Sequence, residues 1–386
     1  MTVVGEVPGI PQAGGAGGPV RLARTAPALL MQPTTLCNLD CTYCYLPDRA
    51  VARLMPVEVA DAVAVAVREW SRRHPVTVVW HGGEPLAAGQ AHLRALMERF
   101  GPGGEYPVTH AVQTNATLID ADWCALFTEA RMQVGVSIDG PGQANAARVD
   151  RGGRASTDKA LRGVDMLRRA GIEFGLICVV ADPTPDSAVA LYRFARETGA
   201  ASLGVNLAEH KGVNDMAGQQ PGQAVVAFWQ TLAACWQADP VIRIREFEQA
   251  YSYIRAELAG SAHERAARPV NALPMVTFDG ELVPMAPDLA GFSSPRHGPF
   301  TAGNVLRTPL ARLMAEASDV PWVAEALNGV SACRSSCEYF AYCRGGQAAN
   351  KYFETGRLDA TETTYCRTSK ISLMEGILRH AEHARR

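Results

Sequence analysis

The sequence predicts an α/β fold, a parallel sheet covered by helices and arranged as an open or partial barrel. Three observations carry this expectation. Six strand-like apolar runs alternate with helix-like segments. The connections between the runs are too long for hairpins, so the strands run parallel. The chain has 386 residues, 47% hydrophobic and 20% charged, which is enough apolar material for a large core.

Taken in order, residues 1–25, with "VPGIPQAGGAGGPV", are rich in Gly and Pro and read as a flexible tail. The strand-like runs are "PALLMQ", "VTVVWH", "VTHAVQT", "MQVGVSID", "IEFGLICVV" and "ASLGVNLAEH", and "PVEVADAVAVAVREWSRRH" and "QAHLRALMERF" are among the helical segments between them. This barrel region spans residues 26–240, and the alternation stops near Pro240. A bridging region, 241–330, holds a helix over "REFEQAYSYIRAEL" and a hairpin, "MVTFDGELVPM", turned at Asp279-Gly280. Residues 331–386 form a cysteine-rich appendix, short on regular structure until a final helix.

The formal net charge of −2 gives no global field to attract nucleic acid or an anionic membrane, so neither is expected as a partner. No apolar run reaches the length of a membrane span, and no hydrophobic signal segment opens the chain. A cytoplasmic location is expected. Thiols stay reduced there, and clustered cysteines more often hold metal than form disulfides.

Parallel α/β sheets place their chemistry at the carboxyl ends of the strands. The motifs fall at those ends. "TLCNLDCTYCYLP" follows the first strand, "HGGEP" the second, "QTN" the third and "SIDGP" the fourth. Four polar motifs on one rim read as one site. Cys37, Cys41 and Cys44 are spaced C-x3-C-x2-C, one thiolate short of a closed zinc site or iron–sulfur cube. Cys333, Cys337, Cys343 and Cys366 make a full set of four, suited to zinc or to a cluster with no open iron. Cys124, Cys178 and Cys235 stand singly and read as core residues.

The cysteine motif with Tyr43 before its last cysteine, followed by GGEP, resembles the radical S-adenosylmethionine superfamily. The resemblance implies that three thiolates hold a [4Fe–4S] cluster and that S-adenosylmethionine fills the open iron, yielding a 5′-deoxyadenosyl radical. It makes an auxiliary [4Fe–4S] cluster the expected occupant of the second cysteine set. The runs "LMQPTTLCNLDCTYCYLPDR", "VVWHGGEPL", "QTNATLID" and "CEYFAYCRGGQAANKYFETG…TETTYCR" narrow the resemblance to SPASM-type maturases of ribosomal peptides, nearest the cyclophane-forming GrrM/OscB group. A partial (β/α)6 barrel with a C-terminal SPASM-like iron–sulfur domain is then implied. So are a precursor-peptide substrate, an electron donor of flavodoxin or ferredoxin type, and a bond from an aromatic ring to a β-carbon. The chain departs from the pattern twice. "NALPMVTFDGELVPMAPDL" has no cysteine for a second auxiliary cluster, and "QANAARVDRGGRAS" lacks the usual His-Asp.

For S-adenosylmethionine, Gly82 and Gly83 are expected to admit close backbone approach and Glu84 to accept from a cationic amine. Asn115 and Ser137 are expected to bond ribose or carboxylate, and Arg151, chosen from Arg148, Arg151 and Arg154, to pair with the methionine carboxylate. Cross-linking also needs a proton acceptor. Asp288, after the hairpin, is the first candidate and Glu209 the next. His81 reads as packed rather than catalytic. Three rivals remain in view: a sulfatase-type formylglycine maturase, a peptide thioether synthase, and a non-enzymatic zinc-binding interaction module. No separate leader-binding domain is evident.

Overall fold

The computed structural model describes residues 19–101, 103–214 and 222–384. All six expected strands form: β1 (Ala28–Met31), β2 (Val76–Trp80), β3 (Val108–Thr114), β4 (Gln133–Ser137), β5 (Phe174–Val180) and β6 (Ser202–Leu207). Each pairs in parallel with the next, and helices α1 (Val57–Trp70), α2 (Gln90–Met97), α3 (Ala121–Glu129), α4 (Thr157–Arg169) and α5 (Pro185–Glu197) fill the crossovers. Their starts follow local chemistry. Asp120 accepts from the Trp123 N–H at the head of α3, and Thr184 and Ser187 form a capping box behind Pro185 at the head of α5.

The sheet runs further than the six-strand alternation predicts. After α6 (Gln223–Ala238), the short strand β7 (Arg243–Ile244) adds to β6, and α7 (Arg245–Leu258) and α8 (Ala262–Ala267) follow. At the other edge β8 (Met275–Val276) lies parallel to β1, and β9 (Leu282–Val283) pairs back on β8. The nine strands take the order β7-β6-β5-β4-β3-β2-β1-β8-β9. The expected hairpin is therefore the outer edge of the barrel sheet. Its loop closes with Thr277 N–H donating to Glu281 O and with Gly280 at φ +89°.

Two expectations need correction. Part of the tail expected over residues 1–25 is packed: Leu22 is buried and pairs with Val270, while residues 1–18 lie outside the described residues. The appendix is also more helical than expected. After α9 (Leu310–Glu316), α10 (Pro321–Ser336) runs straight through the boundary drawn at residue 331 and carries Cys333. The short helices α11 (Phe340–Cys343), α12 (Ala348–Thr355) and α13 (Thr364–Cys366) follow. One π turn over Arg367–Ile371 then leads into α14 (Ser372–His383). Helix α14 packs on α6, where a Cβ on Gly376 would lie 2.7 Å from the Trp229 Cβ and 2.8 Å from the Gln230 nitrogen. The barrel and the appendix share one continuous apolar core.

Candidate functional site

The loop after β1 is stitched to its neighbours by backbone. Asp40 N–H donates to Val149 O at 2.8 Å and Thr42 N–H to Ala147 O at 3.0 Å, tying it to the segment after β4. Glu84 N–H donates to Leu36 O at 2.8 Å, tying it to the loop after β2. Gly83, at φ +61°, lies so close that a Cβ there would sit 2.6–2.8 Å from the carbonyl oxygens of Leu36, Thr34 and Thr35. Gly82, at φ +98°, packs instead on Gln32. The close approach of both glycines is thus to the chain's own residues: the strand-end loops of β1 and β2 are pressed together.

Glu84 is buried, and its carboxylate accepts from Leu86 N–H, Thr114 Oγ1 and Asn115 N–H at 3.1, 2.7 and 2.8 Å. Burial pushes it up to about 6, with these donors working against the rise. It fastens the second loop to the end of β3. Asn115 in turn donates from Nδ2 to Asn38 Oδ1 at 2.9 Å, with Cys37 Sγ at 3.9 Å. Ser137 accepts from Gln113 Nε2 at 2.8 Å at the end of β4. Arg151 donates to Cys37 O at 2.7 Å and to Arg49 O, so its guanidinium clamps the cysteine loop's backbone. Arg148 is buried and ion-paired with Asp139 at 3.0 Å. Asp139 also accepts a hydrogen bond from the Tyr43 hydroxyl at 2.7 Å, and the Arg148 guanidinium lies 5.3 Å from the Tyr43 ring centre. Tyr43 is thereby fixed against the end of β4.

All three thiols of this loop are free, and burial drives them up, Cys37 to about 12 and Cys41 to about 11. Buried thiols of this kind need a cation to become thiolates. The second set forms around α10–α13. Cys333 is buried, with Lys351 Nζ 3.8 Å from its sulfur, and Cys337 N–H donates to Cys333 O at 2.9 Å. A hydrogen bond from the Cys366 thiol holds Cys343 below the usual thiol range and pushes Cys366 up. Among the described residues no three His, Cys, Asp or Glu side chains converge closely enough to share one metal ion. A [4Fe–4S] cube takes one thiolate at each of its four irons, which the second cysteine set supplies in full and the first supplies for three of the four.

The two candidate proton acceptors meet on one residue. Lys211 Nζ lies 2.8 Å from Asp288 Oδ2 and 3.7 Å from Glu209 Oε2. Asn350 donates to Glu209 at 2.6 Å, and the ammonium sits 5.7 Å from the centre of the Tyr45 ring, next to Cys44. Burial alone would raise Asp288, but the Lys211 ammonium holds its carboxyl below the usual range. Burial wins at Glu209, which is raised despite Lys211. Burial works against the Lys211 charge, yet the two carboxylates outweigh it. His81 faces Tyr45 OH at 3.4 Å and is pushed down to about 4 by burial, so it stays neutral. Within the sheet, a cavity of about 630 Å³ runs from Gln113, Gly175 and Gly204 to Met132, Glu173 and Ser202 at the amino ends of the strands, the end away from the cysteine loops. Gly135, Gly175 and Ser202 sit side by side in register, so small residues keep this space open.

A sequence model described as the Radical SAM superfamily matches residues 31–195, the span from β1 to α5. An uncharacterised protein of Synechocystis sp. is 31% identical over 351 residues, 88% of each chain. The chain belongs to the radical SAM superfamily. As such it binds a [4Fe–4S] cluster and S-adenosylmethionine. This radical SAM protein is also 35% identical over 176 residues to the serine-type anaerobic sulfatase-maturating enzyme of Klebsiella aerogenes, a match spanning 42% of each chain. Its fold is that of native anSMEcpe with bound AdoMet, at TM-score 0.71 and 23% identity over 93% of this chain and 99% of that one. Streptococcus suis SuiB bound to precursor peptide SuiA follows at TM-score 0.63 and 15% identity, over 88% and 75%. Among the described residues no helix is long and apolar enough to cross a membrane.

Sequence reasoning missed Lys211, Tyr45 and Asn350, and gave Asp139 no role. One signal pointed to Lys211. The chain has 33 arginines and only four lysines, Lys159, Lys211, Lys351 and Lys370, so each lysine marks a place where a compact ammonium was kept.

Proposed function

We propose that the chain matures a ribosomally made precursor peptide by joining an aromatic ring to a β-carbon, forming a cyclophane. In this reading Cys37, Cys41 and Cys44 hold the cluster that binds S-adenosylmethionine, and Cys333, Cys337, Cys343 and Cys366 hold one auxiliary cluster. When bound, these groups supply a 5′-deoxyadenosyl radical for hydrogen abstraction and an acceptor for one electron. Residues 26–240 form the body of the barrel, extended at its edges by β7, β8 and β9, and the cysteine-bearing segments beyond α9 form the SPASM-like domain, with α10 spanning the junction. Gly82, Gly83, Glu84 and Arg151 shape the cysteine loop against its neighbours. Tyr43, Asn115 and Ser137 line the rim where the cosubstrate would lie.

The observation that carries the reading is the sharing of Lys211 by Asp288 and Glu209. Ring closure leaves an aromatic carbon with one proton to lose, and the strand-end face of the barrel holds one carboxylate kept ionised and one pushed toward its neutral form. Two carboxyls driven apart in this way can divide the work of accepting and passing on a proton. Asp288 is the acceptor in this scheme, and Glu209 relays.

The test uses the full chain, reconstituted anaerobically with reductant, S-adenosylmethionine and a short peptide encoded beside it. Cyclophane formation removes two hydrogens, about 2 Da per ring, with no oxygen added. A precursor deuterated at the β-carbon should pass one deuterium into 5′-deoxyadenosine, and NMR should show a ring-to-β-carbon bond. Formylglycine formation, the activity named for the sulfatase-maturating relatives, gives the same mass change from serine and a loss of about 18 Da, with sulfur exchanged for oxygen, from cysteine. Hydroxylamine would trap its aldehyde and no new C–C bond would be found. A bond through sulfur would point to thioether synthesis. Asp288→Asn should leave S-adenosylmethionine cleavage intact while slowing cross-linking by about 10²–10⁴-fold, the usual worth of a general base. Equal loss of both activities would remove Asp288 from the proposed role.

A further inference from the structure

Two of the four lysines face the second cysteine set. Lys351 is only 3% exposed, and its Nζ lies 3.8 Å from Cys333 Sγ. Lys370 stands on the π turn directly after Cys366, its Nζ 5.6 and 5.8 Å from the centres of the Tyr342 and Tyr365 rings and 3.5 Å from Gln249 Oε1. Among the described residues, neither ammonium has a carboxylate within 4 Å. Lys211, by contrast, has two carboxylates, and Lys159 is exposed on α4.

A buried ammonium without an anion is costly, and arginine is this chain's ordinary cation. The negative groups that Lys351 does meet are cysteines: Cys333 first, then Cys343 and Cys366. Lys370 senses Cys343 first, then the more distant Glu246 carboxylate and Cys366. Four thiolates around a doubly positive cube carry a net charge of minus two, and of minus three after one-electron reduction. Two adjacent ammoniums offset the first charge and favour the second. The π turn adds an independent sign, since a helix widened by one residue at a single place re-aims the side chain there, and such turns cluster at functional sites.

We propose that Lys351 and Lys370 are charge-compensating residues of the auxiliary cluster, placed to favour its reduced form. This rests on the reading that Cys333, Cys337, Cys343 and Cys366 hold a [4Fe–4S] cube. The cube gains one electron and nothing else is bonded or broken. In peptide maturation that electron is the one the cross-linked ring must lose along with its proton.

The experiment measures the midpoint potential by EPR-monitored redox titration of the full chain carrying Cys37→Ala, Cys41→Ala and Cys44→Ala, so that one cluster remains. Lys351→Met and Lys370→Met should each make reduction at least tenfold less favourable, a fall of about 59 mV for a one-electron couple. Lys351→Arg should keep most of the original potential. Iron and sulfide are counted first. About four irons with unchanged potentials in both methionine variants would overturn the inference while leaving the cluster assignment standing. Zinc, or no iron, in the parent triple variant would overturn both. If Lys351→Met does not load iron, Lys370→Met, whose amine rests on ring faces rather than on sulfur, carries the same expectation.

Discussion

Gly83→Ala is expected to weaken the apo-protein and to cost it one cluster. Two terms set the size. An alanine at φ +61° pays about 1–2 kcal/mol for the left-handed backbone. Its Cβ would also stand 2.6, 2.7 and 2.8 Å from three carbonyl oxygens, all backbone and all in the turn just before Cys37. Overpacking of that kind adds about 1–3 kcal/mol, for a total of about 2–5 kcal/mol. Gly171→Ala is the matched control, because Gly171 has φ +68° with no atom within 4 Å of the built Cβ. It should show the backbone term alone. Urea unfolding gives the difference in stability, and iron per chain after anaerobic reconstitution gives the functional consequence. The loop that Glu84 N–H holds through Leu36 O must move aside, so Gly83→Ala should retain about four irons where the parent retains about eight. Equal destabilisation by the two substitutions, or full iron in Gly83→Ala, would refute the idea that the GGEP loop braces the cysteine loop.

Replacing Cys37, Cys41 and Cys44 together by Ala should leave about four irons and abolish S-adenosylmethionine cleavage, measured by 5′-deoxyadenosine release. Persistent cleavage would move the site elsewhere. His110 lies stacked on Trp80 at 5.9 Å and edge-on to Phe100 at 5.7 Å, and burial pushes it down to about 4. Its neutral form is the folded one, so below pH 6.5 the unfolded chain takes up a proton that the folded chain refuses. Stability therefore falls on acidification from about 6.5 toward 4, by about 3 kcal/mol at 1.36 kcal/mol per pKa unit. His110→Phe should flatten that stretch of the pH–stability curve, and an unchanged slope would assign the acid sensitivity to other groups.

Much of the barrel was legible because its signals are local. Gly and Pro punctuate the six strands, and the rim motifs sit at strand ends where the chain leaves the sheet. The hairpin was legible from Asp279-Gly280, but its attachment to β1 was not, since a two-residue parallel pairing leaves no periodic trace. Helix α10 escaped notice for a physical reason. Its buried side, Trp322, Val323, Glu325, Ala326, Leu327, Gly329, Val330 and Cys333, includes a carboxylate and a glycine, while Ala332 on the other side is exposed, so no clean apolar stripe shows. At the site, Asp288 and Glu209 were read as separate candidates, because only the folded chain shows the lysine between them. Arg151 illustrates the reverse case. Its charge was visible in the sequence, but its attachment to the Cys37 and Arg49 carbonyls was not.

The pairing of β8 with β1 sets a clock on assembly. Leu30 N–H donates to Pro274 O and Gln32 N–H to Val276 O, so the strand that leads into the cysteine loop gains its second neighbour from a segment made much later. Between Met31 and Val276 a ribosome adds residues for roughly 10–50 seconds at 5–20 residues per second. Throughout that interval the three thiols stand on an exposed sheet edge, with Asp288 still unmade. Delivery of iron and sulfide before residue 276 emerges would meet a half-walled site, open to the wrong metal and to oxygen. The order of the chain thus favours a protein that is finished first and metallated afterwards.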